Sequence, residues 1–541
     1  MVHLTQTRSG TVRAIVPAQQ EGSGDDMTRM RPASGVLVIL AAALATAGCT
    51  SAPGGTKTPA ATAPTFEPDW ASLSRHEAAP DWFRDSKLGI YFHWGVYSVP
   101  AYSTEWYPRL MHLPGHPVWE HHLATWGHPS EFGYHDFVPK FTAEHFDPEE
   151  WAELFQQTGA RFAGPVAEHH DGFSMWASEV TPWNAGSRGP KRDITGELAA
   201  SLRKRGMRLI TTFHHARNLQ RYDTPLKEAE FDGDFRVNST SHYPLFEGMP
   251  PSSDDPDLAM LYGKVPEAEW VPTVWLGKLK EVIDKYQPDM IWFDSWLDQI
   301  PEQYQKEFAA YYLNDAAKRG KEVVILRKQD DLPLDFTVLD HEKSRMSGAS
   351  EHAWMTDDTI SRGSWCYTDS LTIKPASEII HALVDTASKN GVVLLNVSPM
   401  ADGTIPVDQR ETLRGIGEWM SANGEAIYAT RPWITYGEGP TKEPEGGFRD
   451  HEEFGKLRYS AADVRFTQSK DGRTIYAIVL GSPEPGATTT LEAFAAAGEI
   501  ESVALLGGEA IEWAGTEDGL ALVAPAAKVD TAALVYKILM K

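Results

Sequence analysis

Between residues 87 and 424 short apolar runs alternate with longer segments whose apolar positions recur at helical spacing. The runs cover residues 88–94, 161–168, 207–214, 289–294, 322–327, 337–342 and 391–398. Val, Ile, Leu and Phe fall on odd and even positions alike, as in strands of a parallel sheet buried on both faces. The intervening segments carry helix punctuation. Asp147-Pro-Glu-Glu150 supplies a capping Asp, a first-turn Pro and acids near the helix dipole; Trp151, Leu154 and Phe155 then share a face, and Gly159 ends it. Residues 275–286, 380–387 and 413–420 repeat that spacing. Seven strands and their helices predict a (β/α)8-like TIM barrel over residues 67–432, with an eighth strand that the pattern does not place. A doubly wound open sheet is the alternative, and no Gly-rich dinucleotide turn supports it. Insertions at 95–146 and 216–272 interrupt the alternation. After Arg431-Pro432 the pattern becomes short strands near 464–467, 474–480, 488–491, 503–506, 520–523 and 532–538, with Lys470-Asp-Gly472 as a hairpin turn. This predicts a C-terminal all-β sandwich over residues 433–541.

The amino terminus has a different pattern. Arg29 and Arg31 precede the apolar run 35–44, then Ala45-Thr-Ala-Gly48 and Cys49. A basic region, a short apolar region and small residues read as a signal peptide over residues 1–48, with residues 1–26 an over-extended start before Met27. Cys49 after Ala47-Gly48 resembles a bacterial lipobox, with Thr46 in place of the usual Leu. The expectation is an exported protein, extracellular or held at the membrane by a lipid on Cys49; an ordinary secreted protein is the alternative. Residues 49–66 have the Ser, Thr, Ala, Gly and Pro composition of a flexible tether.

Composition narrows the function. The 541 residues carry a net charge of −25, which makes a nucleic-acid partner improbable on electrostatic grounds. Two Cys exclude a disulfide-dense scaffold. The 19 His and 57 aromatic residues matter because polar ones cluster where predicted strands end, the end of a barrel that holds active sites. These ends are His93-Trp94, Glu168-His169-His170-Asp171, His214-His215, Trp292-Phe293-Asp294, Arg327, Asp340-His341-Glu342 and Asn396. His93, His169, His170 and Asp294 would suit zinc, but adjacent histidines on an extended segment face opposite ways. Imidazoles, indole faces, carboxylates and an Arg also suit a sugar ring. Sugar chemistry needs two carboxyls, and Asp294 and Glu342 end the fourth and sixth strands. A retaining pair stands about 5–5.5 Å apart and an inverting pair about 6.5–9.5 Å; spacing in sequence does not choose between them.

Several motifs carry a resemblance. They are residues 87–100 (Lys-Leu-Gly-Ile-Tyr-Phe-His-Trp-Gly onward), Ser103-Thr-Glu-Trp-Tyr-Pro108, Glu168-His-His-Asp-Gly-Phe173, Arg188-Gly-Pro-Lys-Arg-Asp193, Ile291-Trp-Phe-Asp294, residues 390–399, Ala401-Asp-Gly-Thr-Ile-Pro406 and Gly424-Glu-Ala-Ile-Tyr428. In this order they resemble the α-L-fucosidases of glycoside hydrolase family 29, over about residues 67–433. The resemblance implies an exo-acting retaining enzyme on fucosylated oligosaccharides or glycoconjugates, without a cofactor. It implies Asp294 as nucleophile and His93, His169 and His170 as ligands of the fucose hydroxyls. Glu105 and Trp106 would complete the sugar pocket, and Trp292 would pack near the apolar side of the sugar. Arg327 matches a strand-end Arg, with a surface salt bridge as its other reading, and Trp354 joins the substrate-binding set. Leu339-Asp-His-Glu-Lys-Ser-Arg345 resembles the acid/base segment of one branch and points to Glu342, with Glu351 as runner-up; the same branch suggests α-1,3/1,4-linked fucose. Where many members end the third strand in Tyr-Tyr-Ser, this chain has Thr212-Phe-His-His215, with His214 in the place of a tyrosine contact. A catalytically inactive fucose-binding protein on the same scaffold, and a metal hydrolase, are the competing classes.

Overall fold

A computed structural model describes residues 65–221, 241–245, 256–328, 332–444 and 451–541. The expected leader and Cys49 lie outside them. Eight parallel strands close into a barrel, each paired with its sequence neighbours and the last with the first. They are β1 (Leu88–Phe92), β2 (Phe162–Glu168), β3 (Arg208–Phe213), β4 (Met290–Phe293), β5 (Val324–Lys328), β6 (Val338–Asp340), β7 (Trp354–Thr359) and β8 (Gly391–Val397). The strand that the apolar pattern does not place is β7. Its sequence, Trp-Met-Thr-Asp-Asp-Thr, has one aliphatic-like side chain, Met355, facing the barrel interior.

Alternation along each strand divides two cores. Tyr91, Phe162, Ile210, Trp292, Leu326 and Leu394 fill the interior, while Ile90, Leu209, Phe293, Ile325 and Leu395 pack outward against the helices. Close approach of strands makes glycine obligatory at one point: a Cβ on Gly164 would stand 1.7 Å from the Ile210 carbonyl oxygen.

The helix Pro148–Gln157 begins as its sequence predicts, with Asp147 accepting from the backbone N–H groups of Glu149 at 2.9 Å and Glu150 at 3.2 Å. The longest helices, Glu302–Lys318 and Val407–Asn423, pack outside the barrel. Burial of β2's carboxyl end is made tolerable by an ion pair, Glu168 with Lys278 at 2.7 Å.

Among the described residues the C-terminal region has eight further strands: β9 (Arg431–Glu438), β10 (Val464–Gln468), β11 (Thr474–Val479), β12 (Thr488–Leu491), β13 (Ile500–Leu505), β14 (Trp513–Thr516), β15 (Gly519–Val523) and β16 (Leu534–Met540). A five-stranded antiparallel sheet, β9-β10-β11-β16-β13, faces the three-stranded β12-β15-β14. Trp433, Phe466, Leu491, Phe494, Leu520 and Tyr536 form one core between them. The sequence pattern misses β9, whose side chains are mostly half-buried, and β14, which is exposed throughout. This module is bonded to the barrel's helices: Trp419 Nε1 donates to Ala533 O at 2.9 Å, and His381 Nε2 lies 2.8 Å from Ala532 O.

Candidate active site

The carboxyl ends of the strands bring most of the expected residues together. Asp294 follows β4. Its Oδ2 lies 3.3 Å from His170 Nε2 and 3.3 Å from His214 Nδ1, and its Oδ1 lies 3.1 Å from Lys328 Nζ. The same ammonium reaches Glu342 Oε2 at 3.0 Å. Asp357 stands 3.7 Å from it, and the Lys328 ammonium also lies 4.7 Å from the Trp292 ring. One cation therefore sits among several carboxylates, closed off from below by Trp292, whose indole N–H donates to Asp340 at 3.1 Å.

The histidines form the other wall. His169 and His170 have ring centres 4.6 Å apart, and His169 and His214 are also 4.6 Å apart. The chain leaves the extended strand at Glu168, so the adjacent histidines turn toward a common space. They still divide their work. His170 and His214 touch Asp294, while His93, His169 and His214 bring a nitrogen each within 4.8 Å of one another. His93 is fixed by Asn396, whose Oδ1 lies 2.8 Å from its Nδ1 and accepts its backbone N–H at 2.9 Å. His170 Nδ1 lies 2.6 Å from the His214 carbonyl. His169 Nδ1 and His214 Nε2 are buried with no hydrogen-bond partner among the described residues. Both nitrogens can bond a hydroxyl group or a water.

Glu105 and Trp106 come from the first insertion. Glu105 Oε2 accepts from Thr104 Oγ1 at 2.8 Å and from the Trp365 backbone N–H at 3.2 Å. Trp106 packs on His170 at 5.5 Å, and Arg217 lies between the Trp106 and Trp296 rings at 4.4 Å from each. The result is a buried polar pocket with indole walls.

Burial and charge set the protonation states. Burial alone would raise Asp294, but the Lys328 ammonium and hydrogen bonds from His170 and His214 hold it well below the usual carboxylate range. Burial raises Glu342; Lys328 opposes this, while Asp357 and Asp294 add to it. Burial opposes the charge on Lys328, yet Asp294, Asp357 and Glu342 keep it firmly protonated. Burial lowers His170 to about 4 despite Asp294, and lowers His93 and His169 well below the ordinary value. Such imidazoles are neutral at pH 7, each with one donor and one acceptor nitrogen, which suits hydroxyl groups. A dication on His170, His214 and Asp294 would stand against the Lys328 ammonium that already neutralises this carboxylate.

Three sequence expectations fail geometrically. Arg327 lies on the outer face of β5 with Ile325 and lines a surface cleft with Asp298 and Glu302. The residue that reaches the site is its neighbour Lys328, in phase with Val324 and Leu326 on the interior face. Trp354 starts β7 one residue before Met355, the partner of Asp340, and with the opposite parity to the interior-facing Met355; its ring lies 5.5 Å from that of His341. Its indole N–H donates to Lys389 O at 2.9 Å and its ring fills the space beside Gly391, so it is a packing residue. Glu351 is exposed, on the loop before β7. Sequence reasoning missed Lys328, Asp357 and Trp365. Trp365 lies 5.3 Å from the His93 ring, and its carbonyl accepts from Asn396 Nδ2 at 2.7 Å.

Comparison with known proteins agrees with this geometry. Residues 56–425 match the family model described as Alpha-L-fucosidase, and residues 459–541 match Alpha-L-fucosidase C-terminal domain. The chain is 34% identical to tissue alpha-L-fucosidase of Mus musculus over 69% of its own length and 76% of the relative's. It is 31% identical to human plasma alpha-L-fucosidase over 85% and 88%. A crystal structure of Thermotoga maritima alpha-fucosidase in complex with fucose is 27% identical, with a TM-score of 0.66 over 88% of this chain and 100% of that one.

Proposed function

The chain belongs to the alpha-L-fucosidase family of glycoside hydrolases, and from that premise we propose that it is an exo-acting enzyme that releases terminal α-L-fucose with retention, by double displacement. Asp294 is the nucleophile and Glu342 the general acid/base. The observation that carries the assignment is the Lys328 ammonium between them. One nitrogen touches an oxygen of each, so the two carboxylates face one another across a single ammonium. Carboxylates held together in this way favour a retaining pair over an inverting one, which keeps room for a water between them.

The steps follow from the charges. Asp294, held ionised, attacks the anomeric carbon as the glycosidic C–O bond breaks, and Glu342 gives its proton to the departing oxygen. A fucosyl ester on Asp294 results. Glu342, now a carboxylate, takes a proton from water as that water attacks the same carbon, and Asp294 leaves. The neutral His93, His169 and His170 hold hydroxyls, His214 holds Asp294, and the buried walls exclude bulk water. No cofactor enters the scheme. A preference for α-1,3/1,4-linked fucose rests on residues 339–345 alone, and a linkage panel decides it.

The test is an NMR time course of an aryl fucoside. α-L-Fucose appears first if the configuration is retained; β-L-fucose first would overturn the mechanism while leaving hydrolysis intact. Lipid anchoring is proposed from Arg29, Arg31, the apolar run and Cys49; no described helix is long and apolar enough to cross a membrane. Cys49→Ala is expected to move the exported protein from the membrane to the soluble fraction, and an unchanged distribution would remove the anchor.

A further inference from the structure

A second concavity begins one residue beyond Glu342. It has a volume of about 700 Å³ and lies between the loop after β6, the start of the helix Ala376–Ser388 and the helix His451–Lys456 of the C-terminal region. That volume accommodates about a disaccharide. Although the whole chain has a net charge of −25, this cleft is lined by six Lys and Arg side chains against three carboxylates.

Some of those cations are matched. Lys374 pairs with Asp358 at 2.8 Å, Arg362 pairs with Glu378, and Arg345 pairs with Asp385 at 2.9 Å. Two are poorly matched. Arg458 comes no nearer than 3.9 Å to Glu378, and Lys343 makes no carboxylate contact within 4.0 Å among the described residues. Lys343 lies with its ammonium 4.2 Å from the Trp365 ring and 3.5 Å from the Gly363 carbonyl. Its backbone is left-handed, φ 49°, where glycine or asparagine sits with less strain. The turn is held by the Lys343 N–H donating to Asp357 O at 2.8 Å. The chain thus keeps a lysine at a strained position next to the acid/base candidate. Trp365 lies between this lysine and His93, so a single indole separates the edge of the cleft from the fucose pocket.

We propose that this cleft is the subsite for the leaving portion of the substrate and that it selects an anionic saccharide, one carrying a carboxylate or a sulfate. Lys343 and Arg458 meet the negative group. The glycosidic oxygen then lies at Glu342, and the barrel and the β-module together form the binding site. This rests on the fucosidase reading above.

The probes are three fucosylated oligosaccharides alike except in the leaving portion: neutral, carboxylated and O-sulfated. An aryl fucoside is run in parallel. The wild-type enzyme should prefer at least one anionic substrate by about two- to fivefold in kcat/KM at low ionic strength, the size of one partly exposed ion pair. The preference should fall toward one in high salt and in Lys343→Gln, and return in Lys343→Arg. Which anion is preferred identifies the group. Equal kcat/KM for neutral and anionic substrates, or a preference unchanged in Lys343→Gln, overturns the subsite. No turnover of the aryl fucoside would instead overturn the enzymatic reading on which it rests.

Discussion

Two buried ionic clusters in this molecule use the same residue types to opposite ends. At the junction of barrel and β-module, Asp385 receives Arg465 at 2.6 Å, Arg345 at 2.9 Å and Lys389 at 3.0 Å. Arg465 and Lys389 also pair with Glu443, whose carboxylate accepts from Tyr459 at 2.7 Å. Three cations meet two carboxylates, every group has a partner, and Asp385 is held far down the scale by those cations despite its burial. At the barrel's mouth one ammonium, Lys328, serves Asp294, Glu342 and Asp357, with Asp340 behind them. That cluster cannot ionise fully. Burial and the charge of Asp357 push Asp340 well up, and Glu342 is raised with it. A surplus of cations lets both carboxylates of the joint ionise; a deficit of cations leaves a proton in place at the barrel's mouth.

The first way to break this comparison is Asp294→Gly. Turnover of an aryl fucoside should fall by about a thousandfold or more, because no group is left to form the ester; activity near wild type would remove Asp294 from its role. Next, Glu342→Ala should slow fucosides with poor leaving groups by about 10²–10⁴-fold. Those with good leaving groups, which need no protonation, should suffer less. Glu351→Ala should behave as wild type, and the reverse pattern would transfer the role.

Lys328→Met shifts both carboxylates in pH. The ammonium lowers both Asp294 and Glu342, so its loss raises both. The acid limb of kcat/KM, where Asp294 must ionise, and the basic limb, where Glu342 loses its proton, should both move to higher pH. An unmoved profile would show that the cation does not set their titration.

At the junction cluster, Arg465→Met should leave Asp385 and Glu443 underpartnered and destabilise the protein by about 3–5 kcal/mol, read by urea unfolding. The sign with pH is fixed by Asp385. Its folded value lies below the 3.8 of the ordinary group, so its stabilisation is present above 3.8 and is lost as pH falls toward the folded value. In the variant this acid-side loss should shrink. Stability equal to wild type at pH 7 would mean the cluster holds nothing together.

How far the sequence discloses the molecule depends on which physics a residue expresses. Seven barrel strands are legible because burial on both faces demands apolar runs, and Asp294 is legible because Ile291-Trp-Phe-Asp294 is a local motif. β7 is not, because Asp357 faces the ionic cluster and Asp358 pairs with Lys374, which removes the apolar signature. Arg327 and Lys328 are confused for a different reason. With Val324, Ile325 and Leu326 all apolar, sequence does not reveal which parity faces the interior. Trp365 lies in a loop, where no periodicity announces it, and its place is set by Glu105, Asn396 and Ser398, which are distant in sequence. Trp354 shows the converse: an indole close to the acid/base segment, but facing out of the barrel against Lys389 and Gly391.

The central claim is that the unbalanced cluster performs covalent catalysis through Asp294. A 2-deoxy-2-fluoro fucoside with a good leaving group slows the second step and lets the ester accumulate, so its peptide can be identified by mass spectrometry. The account predicts one fucosyl group per chain, on the peptide containing Asp294, with activity recovering as the ester hydrolyses. A label on another carboxylate, or turnover with inversion and no labelled peptide, would contradict it.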